Sequence, residues 1–555
     1  MINYGAVRPI SDTTTSARLA IDVRRMPWIR PLASEYADRF AAVAEFYAGN
    51  PWTAEGWRDA VQRVQAQAHD RARLVALLDA QAARRGAPAG ARRAIHELSD
   101  RRTVAVVTGQ QAGLFGGPLY TLLKAITALQ LARRAREEHD VPAVAVFWVD
   151  SEDHAWEEVR SCPVLDGDLA LRTVSLGAPA GAGELPVARV VLDGDVERAV
   201  TELEGALQPT EFTAEIVQAL REGYRPGMRM ADAFACWMDR LLGERGLIVF
   251  ESADPAAKPL VADLFARELE RPGHTASLAL AAGERMREKG HDPQVVPQPD
   301  AVALFALNGG RVPIRARGEQ FAIGEQTVPR AALVDEARRH PERFSPNVLL
   351  RPLAQDTLFP TVAYVSGPSE LAYLGQLKDV YRYFDVPMPL MYPRASATLL
   401  DTASTRFLAK YDLPLVDLRQ QDEAALNRLL ETQLPASVEE ALNAADAAVR
   451  THMAAVVDAV GQIDPTLTGA ARTTVGRMEH DLRTLHTKII HAAKRRDETL
   501  RRQFSRAQAL AFPSGHPQER TLGLPFFLNR YGWVLADRLE AELPLETGRH
   551  YVLTL

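Results

Sequence analysis

The feature that most constrains this chain is a repeated local grammar: a short β-branched apolar run, a polar or glycine-rich turn, then a long amphipathic helix. Residues 103 to 108 (Thr103-Val104-Ala105-Val106-Val107-Thr108) form one such run, Gly109 to Pro118 the turn, and Tyr120 to about Glu138 the helix. Residues 143 to 149 form a second, wholly apolar run that ends in Asp150-Ser151-Glu152-Asp153-His154. Runs with no polar member on either face suit strands buried on both sides, as in parallel sheets. Further strands are expected at 246 to 251, 361 to 366 and 388 to 392, each next to a helical stretch. The expected fold class is therefore α/β, a parallel sheet covered on both faces.

Around these units the pattern changes. Residues 1–100 read as an N-terminal helical region, with apolar residues such as Phe40, Val43, Leu74, Leu77 and Leu78 at helical steps and a break at Gly49-Asn50-Pro51. The core occupies 101–154, continues at 221–270 and is completed at 346–402. Segments 155–220 and 271–345 are too long for simple connections and read as insertions. From 403 to 510 the chain is rich in Ala, Leu, Glu and Arg, and Val475, Met478, Leu482, Leu485, Ile489 and Ile490 form a helical stripe. Two helices reversing between Gly461 and Gly469 would make an antiparallel hairpin of coiled-coil type, with a packed bundle as the alternative since the heptads are imperfect; the apolar stripe makes a homodimer the expected assembly. Residues 511–555 are expected to pack back on the core.

The 555 residues hold 65 Lys+Arg and 71 Asp+Glu, a formal charge of −6, so nothing in the bulk charge draws the chain to nucleic acid or an anionic membrane. An apolar fraction of 47% and a charged fraction of 25% argue against global disorder. No stretch approaches the roughly 18 apolar residues of a membrane span. The opening residues Met1 to Pro9 lack a basic flank followed by an apolar stretch, so a cytoplasmic location is expected. The two cysteines, Cys162 and Cys236, suit a reducing compartment and read as structural thiols.

In parallel α/β sheets, ligands settle beyond the carboxyl ends of the strands. There the sequence places its unusual polar residues. In the first turn, Gly109, Gly113, Gly116 and Gly117 allow close backbone approach to a ligand, while Gln110 and Gln111 supply donors and acceptors. The turn matches neither a Walker A loop nor the dinucleotide fingerprint, so a phosphate or carboxylate cradle stands beside a plain glycine turn. The cluster Glu152-Asp153-His154 suits Mg²⁺ binding, amine orientation or general acid–base work, with a solvated loop as the alternative. Ser369, after Gly367-Pro368, is placed to cap a helix running to Tyr383. Arg351 and Arg394 offer guanidinium forks for a carboxylate or phosphate, or else serve as surface ion-pair partners. His480, His486 and His491 do not share a helical face, so no metal site is expected there. Lys494-Arg495-Arg496 with Arg501, Arg502 and Arg506 reads as a solvated helix face, with contact to a nucleotide phosphate or RNA as the alternative.

Taken together, Thr108-Gly109-Gln110-Gln111, Gly113-Leu114-Phe115, Gly117-Pro118-Leu119-Tyr120, Glu152-Asp153-His154, Asn347, Leu350-Arg351-Pro352, Gln355-Asp356, Gly367-Pro368-Ser369-Glu370, Tyr392-Pro393-Arg394-Ala395-Ser396, Gln518-Glu519-Arg520 and Asn529-Arg530-Tyr531-Gly532 resemble the cysteine ligase BshC family of bacillithiol biosynthesis over the whole chain. The resemblance implies a Rossmann-like core with connecting-peptide insertions and a C-terminal helical coiled-coil domain that supports a dimer. It implies addition of L-cysteine to glucosaminyl-malate after ATP-dependent activation of the cysteine carboxyl, with Mg²⁺ as a possible companion. It places Glu152, Asp153 and His154 as catalytic residues. Gln110, Gln111, Tyr120, Asn347, Arg351, Gln355, Asp356, Ser369, Glu370, Tyr392, Arg394 and Ser396 fall about the substrates, and Gly109, Gly113, Gly116, Gly117 and Gly367 about ATP.

On that reading the Gly109 turn and the start of the Tyr120 helix hold phosphates, Arg351 or Arg394 neutralises a carboxylate, and Asp153 or His154 receives the amine proton. Ala112, Gly116 and Ala155 depart from the family pattern, and no His-x-Gly-His signature follows the first strand. A non-enzymatic small-molecule-binding scaffold and a nucleotidyltransferase-like enzyme stay open beside the ligase. Each of these readings expects Gln110, Glu152, Ser369 and Arg394 to meet at one rim of the sheet.

Overall fold

In the computed structural model, which describes residues 18–432, 436–496, 498–546 and 548–555, the apolar runs pair into one parallel sheet. Its strands are β1 (Val104–Gln110), β2 (Ala143–Val149), β3 (Leu247–Glu251), β4 (Thr361–Ser366) and β5 (Leu390–Pro393). They lie in the order β3-β2-β1-β4-β5, and all four pairings are parallel. From β1 the chain adds β2 and β3 on one side and later β4 and β5 on the other, so the strand order switches between β1 and β4, the crevice where doubly wound folds bind ligands.

Strands built mostly of β-branched, aromatic and small apolar side chains are stable only under cover on both faces. Ala105, Val107, Val144, Val146, Trp148, Ile248 and Phe250 share one apolar cluster with Leu74, Leu77, Leu78, Ala91 and Ile95 of the N-terminal helices. On the other face lie α1 (Leu119–His139) and the helix Met230–Leu242, where Phe147 meets Phe234 with ring centroids 5.9 Å apart. Before the first helices, strand Arg18–Asp22 pairs antiparallel with Arg549–Thr554, Arg18 opposite Leu553. A terminal strand that finds its partner five hundred residues away leaves no local periodicity to read.

The first inserted stretch folds as the hairpin Ser161–Leu165 with Leu171–Ser175, followed by helices Asp195–Ala206 and Thr213–Gly223. The second builds a five-stranded antiparallel sheet from Ala301–Leu307, Arg311–Arg317, Gln320–Ile323, Gln326–Pro329 and Phe344–Pro346. The helix expected to continue to Tyr383 is instead broken. α3 (Glu370–Gly375) stops, and a separate helix Lys378–Phe384 follows. At the break Gln376 is fully buried and bonds to the backbone of Ala279, Gln294 and Val295, a role a continuous helix would not leave room for.

The described residues divide into two units: 18–398 with 518–553, and 399–517 with 554–555. The second is helical. α4 (Ala436–Ile463) and α5 (Leu467–Arg496) run antiparallel, with Glu439 facing His486 at 3.2 Å and Arg450 facing Glu479 at 3.4 Å. Met478 and Leu485 of the apolar stripe are exposed, together with Val456, Ile463 and Leu467, while Ile490 is buried. Met1 to Pro9 and the side chains of Lys494, Arg495 and Arg496 lie outside the described residues. Among the described residues, no helix is long and apolar enough to cross a membrane.

Candidate active site

The crevice between the carboxyl ends of β1 and β4 opens into a cleft of about 200 Å³ lined by Gln110, Tyr120, Lys124, Gly367, Pro368, Ser369, Glu370, Arg394 and Arg520. β1 delivers Gln110, and α1 delivers Tyr120 and Lys124 one turn apart on the same face. β4 leads into Gly367 to Glu370, β5 leads into Arg394, and the segment after the helical arm contributes Arg520.

Two ion pairs organise the cleft. Lys124 Nζ, almost wholly buried, lies 2.6 Å from Glu370 and also donates to the Gly109 carbonyl at 2.8 Å and to Gln110 Oε1 at 3.2 Å. Glu370 further accepts from Tyr364 OH at 3.0 Å and from the Gly367 N–H at 2.6 Å. Burial raises the Glu370 carboxyl, but Lys124 and the Gly367 N–H outweigh it and hold it below the usual range. Burial lowers Lys124, and Glu370 offsets that only in part. The second pair is bidentate: Arg394 donates to both Glu519 oxygens at 2.6 and 3.0 Å, with both side chains at most 4% exposed. Ser396 Oγ and the Ala397 N–H also donate to Glu519. The His550 ring then spans Ser396 Oγ at 2.8 Å and Thr398 Oγ1 at 2.9 Å. The Arg394 guanidinium lies 5.5 Å from the centre of the Tyr120 ring, whose hydroxyl accepts from Gln110 Nε2 at 3.0 Å.

One strand over, the residues after β2 form an acidic cluster under cationic cover. Glu152 points inward and pairs with Lys258, both about 5% exposed. Burial raises its carboxyl, and Lys258 offsets this in part. Asp153 accepts from Gln111 Nε2 at 2.5 Å and from the His154 N–H at 2.7 Å. Arg311, from the inserted antiparallel sheet, comes within 3.8 Å of Asp153. His154 Nδ1 is buried and has no hydrogen-bond partner among the described residues. Asp150, which burial pushes up against the pull of Arg351, lies 4.0 Å from that guanidinium. Arg351 joins the two groups, because it also donates to Tyr373 OH at 3.3 Å and its guanidinium carbon lies 6.0 Å from the Tyr364 ring centre. Arg351 and Arg394 are thus both buried partners of internal acids and aromatics rather than surface ion-pair residues.

Gln110, Ser369, Glu370 and Arg394 therefore line one cleft, while Glu152 sits beside it, turned inward. Other candidates take supporting places. Asn347 Oδ1 accepts from the N–H groups of Leu349 and Leu350, closing the turn that precedes α2 (Arg351–Leu358). Gln355 accepts from Arg351 at 3.4 Å and donates to Asp356, which Tyr381 OH holds at 2.5 Å. Burial pushes the Asp356 carboxyl up to about 6. Tyr392 packs on Trp52 and donates to the Leu545 carbonyl, away from the cleft lining. Ser369 makes no capping hydrogen bond; Glu370 takes the Gly367 N–H instead, because its longer side chain reaches back across the turn.

The glycines have reasons internal to the fold. A Cβ on Gly109 would meet the Trp148 carbonyl at 2.8 Å, one on Gly113 the Gly117 Cα at 2.9 Å, and one on Gly116 the Trp237 indole at 2.7 Å. Gly116 and Gly117 also have positive φ, at 95° and 71°. The start of α1 is closed: its Leu119 N–H donates to the Leu522 carbonyl at 3.1 Å, and Pro118 bridges to Gly523. The backbone N–H groups of Gly113, Gly116, Gly117 and Leu119 at this turn thus have partners within the protein. Among the described residues, no group of three or more His, Cys, Asp or Glu side chains is arranged to hold a metal ion.

Sequence reasoning gave no role to Lys124, Lys258, Arg311, Glu519, Arg520 or His550. Lys124 carried the one local signal, a lone cation in the otherwise apolar first half of α1, four residues after Tyr120.

A β3-β2-β1-β4-β5 parallel sheet with a charged cleft at its switch point defines a Rossmann-like α/β protein. The family model "Bacillithiol biosynthesis BshC, N-terminal Rossmann-like domain" matches residues 19–395, and "Bacillithiol biosynthesis BshC, C-terminal coiled-coil domain" matches residues 397–555. The chain belongs to the bacillithiol biosynthesis BshC family. Among its relatives is a protein of Salinibacter ruber named "Putative cysteine ligase BshC", 35% identical over 525 residues, covering 94% of this chain and 95% of the relative. Proteins of the same name from Koribacter versatilis and Chlorobaculum tepidum are 32% and 33% identical, covering 94% and 87% of this chain and 96% and 88% of their own lengths.

Proposed function

We propose that this protein is a ligase that joins the carboxyl carbon of L-cysteine to the amine of glucosaminyl-malate in an amide bond, with ATP activating the carboxyl. The observation that carries this reading is the pairing of family membership over both domains with a cleft in which Lys124, Glu370 and Arg394 are held by internal ion pairs. A carboxylate does not acylate an amine at neutral pH unless one of its oxygens becomes part of a leaving group. In this reading that oxygen takes an adenylyl group from ATP with release of pyrophosphate, or a phosphoryl group with release of ADP; the amine nitrogen then attacks the carboxyl carbon, loses a proton, and AMP or phosphate departs. His154, with its unpartnered ring nitrogen, or Asp153 beside it receives the amine proton. Arg351 and Arg394 are pre-oriented by buried partners, so their charge is available without reorganisation as oxyanions form. Mg²⁺, if used, would come with the nucleotide.

The reading includes a homodimer formed through α4 and α5, supported by the exposed Val456, Ile463, Leu467, Met478 and Leu485 on those helices. It includes a cytoplasmic location, supported by two cysteines that are both unpaired. Mass spectrometry of the full chain incubated with cysteine, glucosaminyl-malate and ATP tests it. The expected result is a cysteine-dependent mass gain on glucosaminyl-malate that His154→Ala with Asp153→Ala abolishes while the fold is kept. Pyrophosphate release without cysteine consumption would point to a nucleotidyltransferase and end the ligase reading.

A further inference from the structure

The charges lining the switch-point cleft do not cancel. Lys124 is matched by Glu370, and Arg394 by Glu519. Arg520 lines the same cleft with an exposed side chain, and among the described residues no carboxylate or carbonyl partners it. Its backbone is held on both sides. The preceding residue, Glu519, is locked to Arg394. Just beyond, the Leu522 carbonyl accepts from Leu119 N–H, and Leu524 N–H donates to the Gly117 carbonyl at 2.9 Å. Its charge acts, with that of Arg394, on the buried Tyr120 hydroxyl across the cleft. A fixed backbone carrying an unmatched guanidinium at the mouth of a concave site suits a planar oxyanion, which accepts two parallel N–H bonds.

We propose that Arg520 is the residue with which this cleft grips an oxyanion of its substrate, so that the segment following the helical arm completes the Rossmann-like domain's binding site. The family match to the N-terminal domain ends at residue 395 and counts Arg520 with the coiled-coil domain, whereas contacts group residues 518–553 with residues 18–398. The cleft is then built by two sequence segments separated by the whole helical hairpin. The inference rests on the ligase reading only for its choice of probes.

Calorimetric titration of the full chain with L-malate, as a carboxylate probe, and with ATP, as a phosphate probe, tests it. Arg520→Ala is expected to weaken binding of one probe by about tenfold or more, and the probe affected identifies the oxyanion. Arg520→Lys should keep part of the affinity. Arg338→Ala, which breaks a surface pair with Glu270 elsewhere, should leave both titrations unchanged. Equal binding of both probes by wild type and Arg520→Ala, or binding of neither by wild type, would overturn the proposal. The ligase reading fails separately: wild type that yields no cysteine adduct yet binds a probe through Arg520 removes the reaction and keeps the site. Conversely, adduct formation with an unaltered KM in Arg520→Ala removes the site and keeps the reaction.

Discussion

Removing the Glu519 carboxylate would leave the Arg394 guanidinium buried with no counter-charge, since both side chains are at most 4% exposed. Breaking one partner of a buried ion pair typically costs about 3–5 kcal/mol. Glu519→Ala is therefore expected to lower the unfolding free energy of the full chain by that order, measured by denaturant titration. Arg394→Met with Glu519→Leu should recover much of the stability while losing activity, which separates packing from chemistry. His550 reports on the same network through pH. Burial drives its ring down to about 4, with Glu519 opposing only in part, so the folded state keeps it neutral where the unfolded chain, near 6.5, takes up a proton. The unfolded state then binds more protons between about pH 6.5 and 4, and stability falls with falling pH at roughly 1.4 kcal/mol per pH unit in that window. The stability advantage of wild type over His550→Gln should shrink across this range and stay constant above pH 7. A constant difference from pH 4 to 8 would refute the buried neutral ring.

At the scale of elements, the turn after β1 is the place where a ligand cradle and a packing device make different predictions. Gly116→Ala puts a methyl against the Trp237 indole and forces a side chain into positive φ. The expected loss is about 1–3 kcal/mol of stability, read in thermal melts without ligand. An unchanged melt with raised KM for ATP would restore the cradle. The strands themselves were legible because an unbroken β-branched run announces burial on two faces, as residues 143–149 do. Strand order was not legible, because β4 pairs with β1 across about 250 intervening residues, and no local pattern specifies which distant strand is the partner. Lys258 and Arg311 were invisible for a related reason. Each sits in ordinary local sequence and acquires its partner, Glu152 or Asp153, only when an element from a distant part of the chain arrives. Glu519 and Arg520 were visible as part of a family-like motif, but nothing in their own neighbourhood tied them to Arg394 or the cleft.

For the whole molecule, α4 and α5 place Ile463 at 81% exposure, with Val456, Leu467, Met478 and Leu485 each 40–48% exposed. An apolar surface of this kind on a charged helical hairpin predicts self-association. Sedimentation equilibrium of the full chain should give a dimer, and Met478→Glu with Leu485→Glu should shift it toward monomer while the melting of the Rossmann-like domain holds. A wild-type monomer at micromolar concentration would contradict this. The chemistry is expected at the β1/β4 switch point, in the cleft lined by Gln110, Glu370, Arg394 and Arg520, with Asp153 and His154 one strand over. A crystal structure of the full chain with L-cysteine and a non-hydrolysable ATP analogue tests it most directly. The account predicts density for at least one of them in that cleft, within hydrogen-bond reach of Arg394 or Arg520, and density for both only on other surfaces would contradict it.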